Sequence, residues 1–173
     1  METTWYSPSN TGKRLVISYF GRTRGCIVKL LVDSSAFAKR YVFEESSGAL
    51  DRLLQRASEL GLCIILVPEL ISGLNRRLRE QILSEKDYRK IKRQLVDDVR
   101  DATVLQLTPA VISHSVKLME TNVLRAMDAL HIACALEWQA DLFVTADKRQ
   151  LMAAKNSGLR SKYIGQPIAS AGG

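Results

Sequence analysis

The sequence has few of the features on which several common classes of protein depend. Its three cysteines, Cys26, Cys63 and Cys134, form no C-x-x-C or C-x-x-H pattern, which argues against a structural zinc site. Their odd number argues against a disulfide framework, as expected for a protein of the reducing cytoplasm. The chain has neither a G-x-G-x-x-G nor a G-x-x-x-x-G-K loop, so it lacks the phosphate cradles of Rossmann and P-loop proteins. No apolar run approaches the ~18 residues that a membrane span requires.

Positive charge is what the chain has in excess. Its 173 residues are enough for one domain with a full core. Its 25 lysines and arginines outnumber its 18 acidic residues, which gives a net charge of +7. Residues 28–173 keep 21 of the basic and 17 of the acidic residues, a net charge of +4. A basic chain favours an anionic partner such as nucleic acid, although many proteins without such a partner are also basic.

Residues 1–27 differ from the rest of the chain. Glycines, a proline and basic residues are scattered through them without a sustained hydrophobic period, and they show no signal-peptide pattern. We therefore expect 1–27 to be an N-terminal extension outside the fold and 28–164 to form one folded domain. The small and polar residues 165–173 are expected to form a flexible tail.

Strand and helix patterns alternate along the predicted domain. Strands are predicted at 28–32, 62–67, 103–107, 141–145 and 163–164. Helices are predicted at 36–42, 47–60, 84–100, 108–120, 124–138 and 147–156, with another that begins at Pro68. Gly61 is expected to be the C-cap of the second helix. This alternation predicts an α/β fold with a mostly parallel central sheet flanked by helices.

Four carboxylates lie where a solvated surface would not place them. Asp33 follows the first strand, Glu69 begins the helix after the second, and Asp147 follows the fourth. In a parallel sheet these three converge on the edge formed by the carboxyl ends of the strands. Asp128 lies inside the apolar helix 124–138, where burial of an unpaired carboxylate costs several kcal/mol. Because close carboxylates repel unless a cation lies between them, the pattern predicts a site for Mg²⁺ or Mn²⁺.

Three of the four acids also have a simpler explanation when each is taken alone. Asp33 and Asp147 could each cap the helix that follows, and the helix dipole favours Glu69 near a helix N-terminus. No cap role fits Asp128 in the middle of its predicted helix. The four acids together favour a metal site over four unrelated coincidences.

Four sequence blocks carry these acids. They are Leu31-Val32-Asp33-Ser34-Ser35-Ala36, Pro68-Glu69-Leu70, Arg125-Ala126-Met127-Asp128-Ala129-Leu130-His131-Ile132-Ala133 and Val144-Thr145-Ala146-Asp147-Lys148-Arg149. Successive acids are separated by 36, 59 and 19 positions. In order and rough spacing the blocks resemble the PIN domain family, and among its members the VapC-type ribonuclease toxins of prokaryotic toxin–antitoxin pairs. Where that family commonly has Asp-Thr-Ser, this chain has Asp-Ser-Ser, which retains the hydroxyl.

The resemblance implies a PIN-like three-layer sandwich and a metal-dependent endoribonuclease whose products carry 5′-phosphate and 3′-hydroxyl ends. The four acids would be the catalytic residues and the ligands of Mg²⁺ or Mn²⁺. Ser35 and Thr145 would orient a carboxylate or a water. The resemblance also implies an RNA substrate, a cognate antitoxin and a homodimer.

Basic residues near the acids are candidates for contact with RNA phosphates. Lys148 and Arg149 adjoin the last acid, and Arg76 belongs to a run of positive charge over two successive predicted helices. Solvated helix faces would explain that run equally well. His131, three positions after Asp128, is expected to pack and to form hydrogen bonds rather than to transfer protons.

Two other functions are compatible with the same residues. A PIN-type nuclease could act in RNA maturation, with the four acids in the same roles. Alternatively, a non-catalytic basic module could bind nucleic acid and use its acids only as helix caps. Dependence of RNA cleavage on a divalent metal would distinguish the module from either nuclease.

Overall fold

The computed structural model describes residues 29–41 and 47–165. The predicted extension 1–27 lies outside these ranges, as do all residues of the predicted tail after Gly165. Within the described ranges, none of the helices is long and apolar enough to cross a membrane.

Five parallel strands form the centre of the fold. They are β1 (Lys29–Val32), β2 (Glu59–Cys63), β3 (Thr103–Leu105), β4 (Leu142–Thr145) and β5 (Ser161–Tyr163). Their order in the sheet is β3-β2-β1-β4-β5, and every neighbouring pair is parallel. The carboxyl ends of the strands therefore meet at one edge, with β1 between β2 and β4. The predicted α/β class and parallel sheet are confirmed.

Seven helices of the described ranges surround this sheet. They are α1 (Ser34–Phe37), α2 (Ser47–Leu54), α3 (Leu66–Arg79), α4 (Glu85–Arg100), α5 (Pro109–Thr121), α6 (Ala126–Glu137) and α7 (Lys148–Asn156). A 3₁₀ turn at Ala38–Arg40 directly follows α1. The hydroxyls of Ser84 and Thr108 cap α4 and α5 by accepting hydrogen bonds from backbone N–H groups in the first turns.

The helices pack in two layers on opposite faces of the sheet. Side chains alternate along β1, so that Leu30 and Val32 face one buried cluster and Leu31 faces another. The first cluster includes residues of α1 to α4, and the second includes residues of α5, α6 and α7. This arrangement is the predicted three-layer sandwich.

The predicted boundary between the second helix and the second strand is wrong. Helix α2 ends at Leu54, and Gly61, expected as its C-cap, lies inside β2 instead. A Cβ on Gly61 would lie 2.5 Å from the ring of Trp138, which is closer than packed atoms can approach. Glycine is therefore needed here for close packing rather than for a turn.

The start of α3 also differs from the prediction. Leu66 and Val67, expected to end a strand, form the first turn of this helix and are buried. Pro68 is the third residue of the helix, where its missing N–H costs nothing because the first N–H groups of a helix have no partner within it.

Two cysteines lie in the core. Cys63 at the end of β2 and Cys134 on α6 are both buried as free thiols, with their sulfur atoms 3.4 Å apart. They fill space as small apolar residues.

Candidate active site

Asp33 lies at the carboxyl end of the central strand and has no solvent exposure. Its backbone N–H extends the β1–β4 pairing by donating to the carbonyl of Val144 at 3.0 Å. Its carboxylate caps α1, since Oδ1 accepts a hydrogen bond from the N–H of Ala36 at 2.8 Å. Burial raises the pKa of Asp33, and the charge of His131 and the hydrogen bonds oppose that rise. Asp33 therefore does cap α1, as its simpler explanation requires. A cap role alone does not explain why this carboxylate is completely buried.

Two hydroxyls tie Asp33 to the neighbouring strand. Ser35 Oγ and Thr145 Oγ1 donate to Asp33 Oδ2 at 2.8 and 2.9 Å. The same oxygens accept hydrogen bonds from the N–H groups of Ala146 and Asp147, both at 2.9 Å. These contacts hold the end of β1 and the segment after β4 in one relative position.

Glu69 lies in the first turn of α3 and is held by two side chains. Its Oε2 accepts a hydrogen bond from the hydroxyl of Ser34 and lies 2.7 Å from Nε2 of His131. His131 is buried, whereas the Glu69 side chain is 25% exposed. Burial acts to raise the pKa of Glu69, but His131 and Ser34 outweigh it and hold that pKa below its usual value. Burial likewise acts to lower the pKa of His131, and the hydrogen bond to Glu69 raises it overall. Both shifts favour a charged pair.

The structure corrects the predicted position of Asp128. Helix α6 begins at Ala126 rather than at 124, because Arg125 has an extended backbone with ψ of 155°. Asp128 therefore lies in the first turn, half-buried, and not in the middle of an apolar helix. Gln150 donates a hydrogen bond to its Oδ1 at 3.1 Å. Burial, followed by the charge of Asp147 and a smaller contribution from Glu69, raises its pKa.

Asp147 is the N-cap of α7. Its Oδ1 accepts hydrogen bonds from the N–H groups of Arg149 and Gln150 at 2.6 and 3.2 Å. Asp147 therefore has the helix-capping role that was its simpler explanation. Asp147 Oδ2 lies 3.7 Å from the guanidinium of Arg149. The carboxylate is partly exposed, so it remains accessible to a ligand.

The donor set agrees with the chemistry of Mg²⁺. Within the described residues, no group of three or more histidine, cysteine, aspartate or glutamate side chains is arranged to hold a metal ion. Mg²⁺, however, is commonly bound through one or two carboxylates and keeps several of its waters. Asp128 and Asp147 offer such oxygens, and the charge of Asp147 adds to burial in raising the pKa of Asp128. Coordination by all four acids stays a prediction.

The three predicted RNA contacts lie in two different places. Arg76 lines a groove of about 340 Å³ that also contains Ser34 and Glu69. Lys148 and Arg149 begin α7 and are exposed beside a separate surface hollow. Arg76 therefore shares a groove with Glu69, whereas Arg149 lies beside Asp147.

Several residues in contact with the acids were not predicted as part of the site. Sequence reasoning left Ser34 without a role and gave His131 no partner, although the structure joins both to Glu69. The sequence signal that could have placed His131 near the site was its position three residues, about one helical turn, after Asp128. Gln150, buried and bonded to Asp128, had no signal in the sequence.

Comparisons with known proteins agree with this fold. A family model described as PIN domain matches residues 30–156. FitAcB from Neisseria gonorrhoeae is similar in structure, with a TM-score of 0.58 and 18% identity over 76% of this chain and 95% of that chain. A toxin-antitoxin complex from Klebsiella pneumoniae has a TM-score of 0.53 and 13% identity, covering 70% and 89% of the two chains. VapC20 from Mycobacterium tuberculosis, a sarcin-ricin loop cleaving toxin, has a TM-score of 0.56 and 14% identity, covering 75% and 95%. No curated protein matches the sequence.

Proposed function

The chain belongs to the PIN domain family, and we propose that it is a divalent-metal-dependent endoribonuclease that acts as the toxin of a toxin–antitoxin pair. The observation that supports this most is the proximity of acidic side chains beside the carboxyl ends of the central strands. Asp33 and Asp147 follow the adjacent strands β1 and β4, and the charges of Asp147 and Glu69 both raise the pKa of Asp128. Such mutual repulsion costs free energy that a bound cation would remove.

The accessible acids would hold the metal. Asp128 and Asp147 are only partly buried and would bind Mg²⁺ or Mn²⁺ directly or through water, with Asp33 and Glu69 as further ligands. When bound, the ion lowers the pKa of a water and stabilises negative charge on the phosphate. Hydrolysis then forms a bond from the water oxygen to phosphorus and breaks the bond to the 3′ oxygen. The products carry 5′-phosphate and 3′-hydroxyl ends.

The remaining side chains would keep these acids in place. Ser35 and Thr145 fix the orientation of Asp33 through their hydroxyls, so that its carboxylate needs no rearrangement when substrate binds. His131 and Ser34 do the same for Glu69. Preorganised contacts of this kind are the usual way in which a protein supports acids that bind a metal.

The toxin assignment is supported by the structural neighbours. One of them is a toxin-antitoxin complex, and another is a toxin that cleaves the sarcin-ricin loop. We propose by analogy that this chain binds a cognate antitoxin, forms a homodimer and acts on RNA in the cytoplasm. A role in RNA maturation would use the same acids.

A non-catalytic nucleic-acid-binding module is the second candidate. It is favoured by one observation, namely that Asp33 and Asp147 do cap α1 and α7. A cap needs no metal, however, and does not explain why Thr145 and Ser35 surround a carboxylate with no solvent exposure.

RNA cleavage tests the nuclease. We expect the folded protein, freed of any antitoxin, to cut an RNA pool with Mg²⁺ or Mn²⁺, and EDTA or Asp128→Asn to abolish the cutting. Asp97→Asn is the matched control, because Asp97 is an exposed acid on α4 whose loss should leave cleavage unchanged. No cutting at any metal concentration would favour the binding module.

Growth of cells that express the chain tests the toxin role. Induction of the unmodified chain should arrest growth, whereas induction of Asp128→Asn should not. Normal growth in the presence of an active nuclease would instead favour RNA maturation.

A further inference from the structure

Gln150 is a buried polar residue that is bonded to two of the four acids. It lies on α7 and is 3% exposed. Its backbone N–H donates a hydrogen bond to Asp147 Oδ1 at 3.2 Å, and its side-chain Nε2 donates one to Asp128 Oδ1 at 3.1 Å. Because Asp128 belongs to α6 and Asp147 caps α7, this one residue fixes the position of one carboxylate relative to the other.

The fold gains little from an amide side chain at this position. The cap of α7 requires only the backbone N–H of Gln150, which any residue except proline provides. Within the described residues, the side-chain Oε1 is buried and has no hydrogen-bond partner, and burial of an unpartnered polar atom destabilises a fold. Ala153 and Ala154 of the same helix are buried and apolar. An apolar side chain would therefore suit this position in the core better than glutamine does.

The chemistry of the amide suits a carboxylate that binds a cation. An ionised aspartate only accepts hydrogen bonds, so the amide presents Nε2 to Asp128 and its oxygen remains free. A lysine in place of Gln150 would also hold Asp128, but its positive charge would compete with a metal ion. The neutral amide holds the carboxylate and leaves its negative charge available. The free Oε1 is an acceptor for the waters that Mg²⁺ keeps when it is bound.

The orientation of Asp128 matters because its charge interacts with that of Asp147. The charge of Asp147 adds to burial in raising the pKa of Asp128, as expected for carboxylates that lie near each other. Two such acids bind the same cation only when both carboxylates face it. A group that prevents rotation of Asp128 therefore favours binding, because less side-chain entropy is lost when the cation binds.

We propose that Gln150 is a positioning residue, which holds Asp128 beside Asp147 for a divalent cation through the hydrogen bond from Nε2. The inference rests on the proposed metal-dependent function and adds to it a residue outside the four acids. Gln150 acts through Asp128 and contributes no charge of its own. Loss of its amide should therefore weaken metal binding without weakening the fold.

Binding of Mn²⁺ to the protein without RNA tests this role. Gln150→Met keeps a side chain of similar length but removes the donor and the acceptor. Electron paramagnetic resonance measures the free Mn²⁺, and we expect the Kd to rise at least ten-fold, as is usual when a group that orients a metal ligand is lost. Asn156→Leu is the matched control. Asn156 ends the same helix and its amide donates to Asn122 at 2.9 Å, so its loss should leave the Kd within two-fold.

Thermal unfolding in EDTA separates the positioning role from a structural one. Gln150→Met removes a buried oxygen that has no partner among the described residues, so we expect its Tm to equal or exceed that of the unmodified protein. A lower Tm together with an unchanged Mn²⁺ affinity would show that the amide serves only the fold, and would overturn the inference.

RNA cleavage gives a second measure of the same effect. Gln150→Met should need at least ten-fold more Mn²⁺ for half-maximal cleavage and should approach the unmodified rate at saturating Mn²⁺. If the unmodified chain binds Mn²⁺ and Gln150→Met binds it equally well, this inference is overturned and the proposed function stands. If the unmodified chain binds no Mn²⁺, both are overturned.

Discussion

The buried pair of His131 and Glu69 allows a prediction about stability. His131→Leu keeps an apolar side chain of similar size at a buried position but leaves the Glu69 carboxylate without its cation. Hydrogen bonds to charged groups contribute about 1.5–3 kcal/mol, and removal of one partner of a fully buried pair costs about 3–5 kcal/mol. Because the Glu69 side chain is 25% exposed, we expect a loss of about 2–3 kcal/mol in the free energy of unfolding at pH 6.

The pH dependence of this loss follows from the two pKa shifts. The pKa of His131 is raised from 6.5, so its contribution is complete below that value and is lost as the pH rises through the folded-state pKa. The pKa of Glu69 is lowered from 4.5, so its contribution is complete above that value and is lost as the pH falls through its folded-state pKa. The pair should therefore stabilise the fold most between about pH 4.5 and 6.5.

Urea unfolding in EDTA between pH 4 and 9 measures this effect. A double-mutant cycle of His131→Leu with Glu69→Gln isolates the coupling between the two side chains, since Glu69→Gln removes the charge that His131 binds. The control is His114→Leu, which removes a partly exposed histidine whose Nδ1 lies 3.8 Å from Glu137 and should cost less than about 1 kcal/mol. A coupling energy that is near zero, or that does not change with pH, would refute the ion pair.

Three further predictions concern packing, the hydroxyl network and the metal. Gly61→Ala should destabilise the fold by about 1–3 kcal/mol, because the methyl group meets an indole ring, whereas Gly73→Ala should be neutral or stabilising; thermal unfolding compares the two. Thr145→Val should cost about 1–3 kcal/mol by removing a donor to the buried carboxylate of Asp33, and an increase in stability would contradict this. Mg²⁺ at ten times its Kd should raise the free energy of unfolding by about 1.4 kcal/mol, measured as a rise in Tm that disappears in Asp128→Asn. An equal rise in that variant would exclude Asp128 as a ligand.

The local sequence pattern was sufficient to predict where two of the candidate acids lie in the fold. The apolar run before Asp33 and the strand before Asp147 place both acids at strand ends, and parallel topology then places them at the same edge. The helix starts predicted at 84 and 108 agree with the N-caps Ser84 and Thr108 of α4 and α5, because a cap depends only on residues within one turn.

Prediction failed where a distant residue decides the local structure. Gly61 has the sequence signature of a helix C-cap, yet pairing with β1 and β3 makes it a strand residue, and Trp138, far along the chain, packs where its side chain would lie. The region from Leu124 to Asp128 was expected to be helical throughout, but the extended backbone of Arg125 delays α6 and leaves Asp128 in its first turn. Propensity is a weak prior that tertiary packing overrides.

The sequence by itself determined the parallel α/β architecture and placed Asp33 and Asp147 at the ends of adjacent strands, since these follow from periodicity and chain order. Only the tertiary structure decided which groups hold the acids. Glu69 and His131 are 62 positions apart, and Thr145 and Asp33 are 112 apart. Contacts at such separations depend on how the layers pack, because side-chain geometry across a core is set by close packing and not by local pattern.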